Sequence, residues 1–128
     1  MLLVRCAVWL RCGMGYLPHY VKLDSIFPAS PALARLDAAL SLCASDVVFE
    51  STTAPDGERV VGHASLRKIW KPIFENPGTH IDVEETIATG DRVLQRCLYS
   101  WGDGHVRAID LYRIRDGKIV EKLSYVKG

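Results

Sequence analysis

The chain has 128 residues, 48% of them hydrophobic, and its 16 Lys and Arg nearly balance 15 Asp and Glu for a net charge of +1. That is enough apolar material for a single domain, residues 1–128, to bury a core without disulfide or metal support. The charges are spread along the chain, which excludes a basic nucleic-acid stripe and an acidic disordered tail and leaves a small molecule or another protein as the expected partner.

The four cysteines, Cys6, Cys12, Cys43 and Cys97, lack the spacing of a redox pair and the histidine pairing of a zinc site. They read as reduced, buried thiols, which implies a cytoplasmic protein with no metal site. The opening run Met1 to Tyr16 is interrupted by Arg5 and Arg11 and is too short to span a membrane, so neither a membrane anchor nor secretion is expected.

Along residues 1–27 the apolar spacing is irregular and broken by Gly13, Gly15 and Pro18, so a first helix fits best around Leu17 to Phe27. Ser30 can cap a second helix with Pro31 at its first position, and Leu33, Leu36, Leu40 and Cys43 then recur at helical spacing. Asp46 to Thr52 reads as a strand that Pro55 to Glu58 turns back through Arg59, Val60 and Val61. A helix follows from about Ala64 to Glu75 with Leu66, Ile69, Trp70, Ile73 and Phe74 on one face; Pro72 should bend or shorten its last turn. Four strands complete the chain: Thr79 to Ala88, Arg92 to Trp101, Val106 to Ile114 and Lys118 to Lys127. Asp116-Gly117 supplies a tight hairpin turn between the last two. Helices followed by consecutive hairpins indicate an α+β fold, with the helices packed on one curved sheet.

Alternation sorts the strand residues into faces. Gln95, Cys97 and Tyr99 share a side, as do Ala108, Asp110 and Tyr112, and Trp70 and Phe74 arrive from the helix. A core seldom groups Gln, Asp and two tyrosines, because a buried polar group without a partner costs about 1–3 kcal/mol. A polar-bottomed apolar pocket accounts for them, with Phe49 and Ser51 added from the first strand. Asp110, between a small residue and an aromatic, is the candidate acid, base or neutral hydrogen-bond donor. The alternative is an Asp satisfied by a tyrosine hydroxyl or a backbone amide, which would only hold the core. The opposite, convex face also carries apolar residues, Ile109 and Leu111 among them, which suggests a homodimer through that face. His63 and His105 sit at turns and read as exposed.

The segments Leu42 to Glu50, Gly62 to Arg67, Gly90 to Val93 and Ile109 to Ile119 together resemble the nuclear transport factor 2-like superfamily, and within it the SnoaL-like branch. The likeness spans roughly residues 32–127, so residues 1–27 are an atypical start. It implies a cone-shaped, strongly curved antiparallel sheet packed on N-terminal helices, enclosing a pocket and commonly dimeric. Relatives include ketosteroid isomerases, polyketide cyclases and limonene epoxide hydrolases. By that resemblance Asp110 matches the strand carboxyl that serves as oxyanion-hole donor or acid/base, and the helix-one tyrosine corresponds to Tyr20 or Tyr16, Tyr20 being taken forward as the second catalytic candidate. The isomerase base falls at Ser51, which cannot act as a carboxylate. The expected function is binding of a small, mostly apolar carbonyl compound, with cofactor-free proton transfer through Asp110. The alternative is a non-catalytic ligand-binding or dimerisation module.

Overall fold

The structure is a computed structural model that describes residues 32–53, 55–76 and 78–127. The Leu17 to Phe27 helix and Tyr20 therefore lie outside the described residues. In chain order the elements are α1 (Ala32–Ser41), β1 (Cys43–Glu50), β2 (Arg59–Val61), α2 (His63–Glu75), β3 (Thr79–Thr89), β4 (Arg92–Trp101), β5 (Gly104–Arg115) and β6 (Lys118–Val126). No helix among them is long and apolar enough to cross a membrane.

Six strands form one curved sheet in the order β2-β1-β6-β5-β4-β3. β3 to β6 are the expected antiparallel meander, and β1 with β2 the expected hairpin. One seam was not specified by the pattern: β1 runs parallel to β6, with Phe49 opposite Lys122. β2, α2 and the strands β3 to β5 intervene before the chain returns to this seam, so no hairpin dictates its direction. β1 also starts at Cys43 rather than Asp46, because its first residue pairs with Ile119 as soon as α1 ends.

Leu36, Ala39 and Leu40 bury one stripe of α1, and Leu66 and Phe74 bury that of α2. With Cys43, Val47, Phe49 and Ile119 they make the main core between helices and sheet. Pro72 does not end α2, which runs on to Glu75. Pro72 and Lys68, four residues before it, are both exposed, so water can satisfy the carbonyl that the proline leaves unbonded. The helices are joined by an exposed Arg67–Asp37 ion pair, whose loss should cost less than about 1 kcal/mol.

Two turns need their glycines. Asp116 and Gly117 have φ of 52° and 74°, the paired positive values of a tight hairpin turn. Gly57, between β1 and β2, has φ of 78°, and a Cβ there would stand 2.5 Å from the Ser51 carbonyl oxygen. Gly57→Ala is expected to destabilise the protein by about 1–3 kcal/mol, read as a lower urea midpoint, since it combines backbone strain with a clash.

Candidate functional site

The inner face of the sheet is built by pleat and by bulges. On β4 and β5 simple alternation holds, turning Val93, Gln95, Cys97 and Tyr99 inward with Ala108, Asp110 and Tyr112. On β6 it breaks. Arg113 pairs with Glu121 while Ile114 pairs with Ile119, so Val120 is the extra residue of a bulge. Residues on either side of a bulge need not keep strict alternation, and here both Ile119 and Lys122 are buried. The same shift sets Ser124 opposite Asp110.

These residues form one polar network inside an apolar shell. Asp110 is fully buried. Its Oδ1 accepts a 2.7 Å hydrogen bond from the Ser124 hydroxyl and lies 3.2 Å from Lys122 Nζ, while its Oδ2 accepts from the Tyr99 hydroxyl. Lys122 Nζ also donates to Ser124 Oγ. Two hydroxyl donors and an ammonium converge on two carboxylate oxygens, an arrangement suited to an acceptor. Lys122 itself is 7% exposed, and its Nζ lies 4.9 Å from the ring centroid of Phe49 and 5.7 Å from that of Tyr99, within cation–π range.

A cavity of about 340 Å³ opens in front of this network, between α2 and the sheet. Phe49, Ser51, Trp70, Phe74, Tyr99 and Tyr112 all line it. Phe49 meets Trp70 edge-on with ring centroids 5.7 Å apart, and Trp70 continues to Phe74 at 6.2 Å, giving one aromatic wall. Gln95, Cys97 and Asp110 are not part of the lining and sit behind it. Gln95 Nε2 donates to Thr86 Oγ1 at 3.3 Å, and the Cys97 thiol is in contact with the Gln95 carbonyl oxygen at 3.9 Å. Ser51 Oγ accepts from the backbone amides of Glu58 at 2.8 Å and Thr53 at 3.3 Å, so the hydroxyl helps to hold the β1–β2 turn. His63 is half-buried and its Nε2 is 3.0 Å from the Cys43 carbonyl oxygen, whereas His105 is exposed as expected. Among the described residues no group of three or more His, Cys, Asp or Glu could hold a metal ion.

The fold agrees with known proteins. The profile of the SnoaL-like domain matches residues 32–122. The chain belongs to the SnoaL-like family. A crystal structure of an NTF2-like protein of unknown function from Mesorhizobium loti is 40% identical, covers 83% of this chain and 88% of its own, and superposes with a TM-score of 0.66. A Sinorhizobium meliloti protein provisionally described as a polyketide cyclase is 22% identical over 85% of this chain and 95% of its own, with a TM-score of 0.64. A computationally designed 17-OHP binder is 23% identical over 75% of this chain and 81% of its own, with a TM-score of 0.63. At those lower identities the likeness is one of fold alone. No curated protein sequence matches the chain.

Lys122 is the charged residue of this SnoaL-like cavity, and sequence reasoning missed it. It lines the cavity, touches Asp110 and is the cation of the buried network, yet in the sequence it sits in Val120-Glu121-Lys122-Leu123-Ser124, where an apolar-in reading turns Leu123 inward. The available signal was the unusual run of Lys122 and Ser124 two apart on a strand bordering Asp110.

Proposed function

We propose that the cavity binds a small, mostly apolar molecule carrying a carbonyl oxygen, and that Lys122 Nζ donates a hydrogen bond to that oxygen. The observation that carries this reading is a cation on the wall of an otherwise aromatic and aliphatic cavity, held in place by a buried carboxylate. An ammonium has three N–H donors; Ser124 takes one and Asp110 stands 3.2 Å away as the counter-ion, which leaves a donor for a ligand's acceptor. The apolar walls supply the bulk of the binding, and the single cation orients the carbonyl. An enolate forming on that carbonyl would place its negative charge against the ammonium in a poorly hydrated site. Asp110 would act at one remove, with Tyr99 or Lys122 relaying a proton between it and the ligand. It is thus a positioning and proton-storing group, and Tyr99 and Lys122 are the groups that meet the substrate.

Binding is tested with naphthol, an apolar phenol that mimics an enolate, followed by quenching of tryptophan fluorescence. Lys122→Met should weaken naphthol at least about tenfold, in line with loss of a charged hydrogen bond of about 1.5–3 kcal/mol. Unchanged affinity would remove Lys122 from the site. Catalysis is tested by deuterium exchange at carbon α to a bound ketone, with Asp110→Asn expected to abolish exchange while naphthol still binds.

One observation favours a second reading, binding without turnover. Ser51 stands where the resemblance to isomerases puts a carboxylate base, and its hydroxyl is committed to backbone amides. Failure of the wild-type protein to exchange any ketone above the buffer rate would select that reading.

The convex face supports a homodimer as part of the same proposal. Ile109 and Tyr125, paired across β5 and β6, are 39% and 59% exposed. Ile109→Glu is expected to convert a dimer to a monomer in sedimentation velocity, with naphthol affinity retained.

A further inference from the structure

From the placement of Lys122 we infer a second chemistry for this cavity: the Lys122 amine condenses with an aldehyde or unhindered ketone to form a covalent imine. The inference rests on the reading that the cavity admits carbonyl compounds, and goes beyond it by making Lys122 a nucleophile rather than only a hydrogen-bond donor.

Three features of the site carry it. Lys122 is 7% exposed yet lines the cavity, and its Nζ lies by the rings of Phe49 and Tyr99, which line it too, so an imine formed there would be flanked by apolar side chains. Asp110 Oδ1 lies 3.2 Å from Nζ and can take the proton that the ammonium must shed to expose its lone pair, so no proton has to reach solvent. The Ser124 and Tyr99 hydroxyls both bond to Asp110 and hold its oxygens in place, one of them beside Nζ. The four other described lysines, Lys68, Lys71, Lys118 and Lys127, are exposed.

The step balances within this group. Nζ passes one proton to Asp110 and its lone pair attacks the carbonyl carbon, forming the C–N bond while the C=O π pair moves to oxygen. A remaining N–H proton neutralises that oxygen, giving a neutral carbinolamine. The protonated Asp110 then delivers its proton through the Tyr99 hydroxyl to the carbinolamine hydroxyl, which leaves as water as the nitrogen lone pair forms the C=N bond. The products are an iminium cation and the Asp110 carboxylate, so the ion pair is regenerated with one water released and no oxidant, reductant or metal consumed. The iminium keeps its positive charge beside the Phe49 and Tyr99 rings that faced the ammonium.

The test uses the full chain with naphthaldehyde and sodium cyanoborohydride, which reduces an imine to a stable secondary amine, followed by peptide mass mapping. Naphthol binding is measured in parallel on the same preparation. Lys122 should be alkylated at least about tenfold faster than Lys68, Lys71, Lys118 or Lys127, as expected of an amine held beside a bound carbonyl rather than meeting it from bulk solution. Excess naphthol should slow that reaction and leave the exposed lysines unaffected. Lys122→Arg, which keeps the cation, should lose the selective adduct. Alkylation of Lys122 no faster than that of the exposed lysines, with naphthol still bound, overturns the imine and leaves carbonyl binding standing. Loss of both naphthol binding and selective alkylation overturns the two together.

Discussion

Asp110→Ala is expected to cost about 3–5 kcal/mol of folding stability, because removing one partner of a buried ion pair leaves the other charge without compensation. The side chain of Asp110 is fully buried and that of Lys122 is 9% exposed, so water can do little to restore what is lost. Tyr99 and Ser124 lose an acceptor in the same substitution. Lys122→Met should be destabilising as well, but the double variant should be more stable than the sum of the two losses predicts. A coupling of about 1–3 kcal/mol by urea unfolding would mark residues that share one network. Additive losses would mean that the two side chains do not depend on each other, and the site would lose its organising contact. High salt should leave the coupling largely intact, in contrast to the exposed Arg67–Asp37 pair.

Phe49→Ala is the second large effect, at about 3–5 kcal/mol. Phe49 is 7% exposed, belongs to the main core, meets Trp70 edge-on and lies beneath the Lys122 ammonium. Its truncation therefore removes core volume, one aromatic contact and one side of the cation's shell. It also enlarges the cavity, so a bulkier naphthol derivative should gain affinity relative to naphthol itself. Phe49→Leu should recover much of the stability while leaving the aromatic contact absent. If Phe49→Ala unfolds no more easily than wild type, this face of β1 is not the packed wall that positions the site.

The connection between the two experiments is geometric. Phe49 of β1 and Lys122 of β6 are direct partners across the parallel seam, and Asp110 and Ser124 are direct partners one strand further on. The apolar wall and the polar network thus share β6. A substitution in the core can consequently alter the cation's placement without touching a ligand.

Much of this was legible in the sequence. Period-two alternation is a local property of the strand, so the inward faces of β4 and β5 followed from residue order, including Asp110, Tyr112, Gln95 and Tyr99. Helical spacing likewise identified the buried stripe of α2 and hence Trp70 and Phe74. The Asp116-Gly117 turn was readable because two consecutive positive φ values favour those residue types.

What the sequence left open lies where two strands must agree. A hairpin closed by Arg115 opposite Lys118 and carried on without interruption would set Leu123 opposite Asp110. The bulge at Val120 moves the register by one, so that Ser124 takes that place, and Lys122 is buried beside the carboxylate. Likewise, nothing local to Cys43–Glu50 states that this strand should lie parallel to β6, because β2, α2 and three strands of the meander separate the two in the chain. Residue order alone determined the α+β class, the elements from residue 32 onward and the inward-facing carboxylate. The tertiary structure alone decided that the carboxylate stands behind the cavity wall and that a lysine stands in front of it, because register and burial depend on the pairing of distant strands and not on the preferences of any one of them.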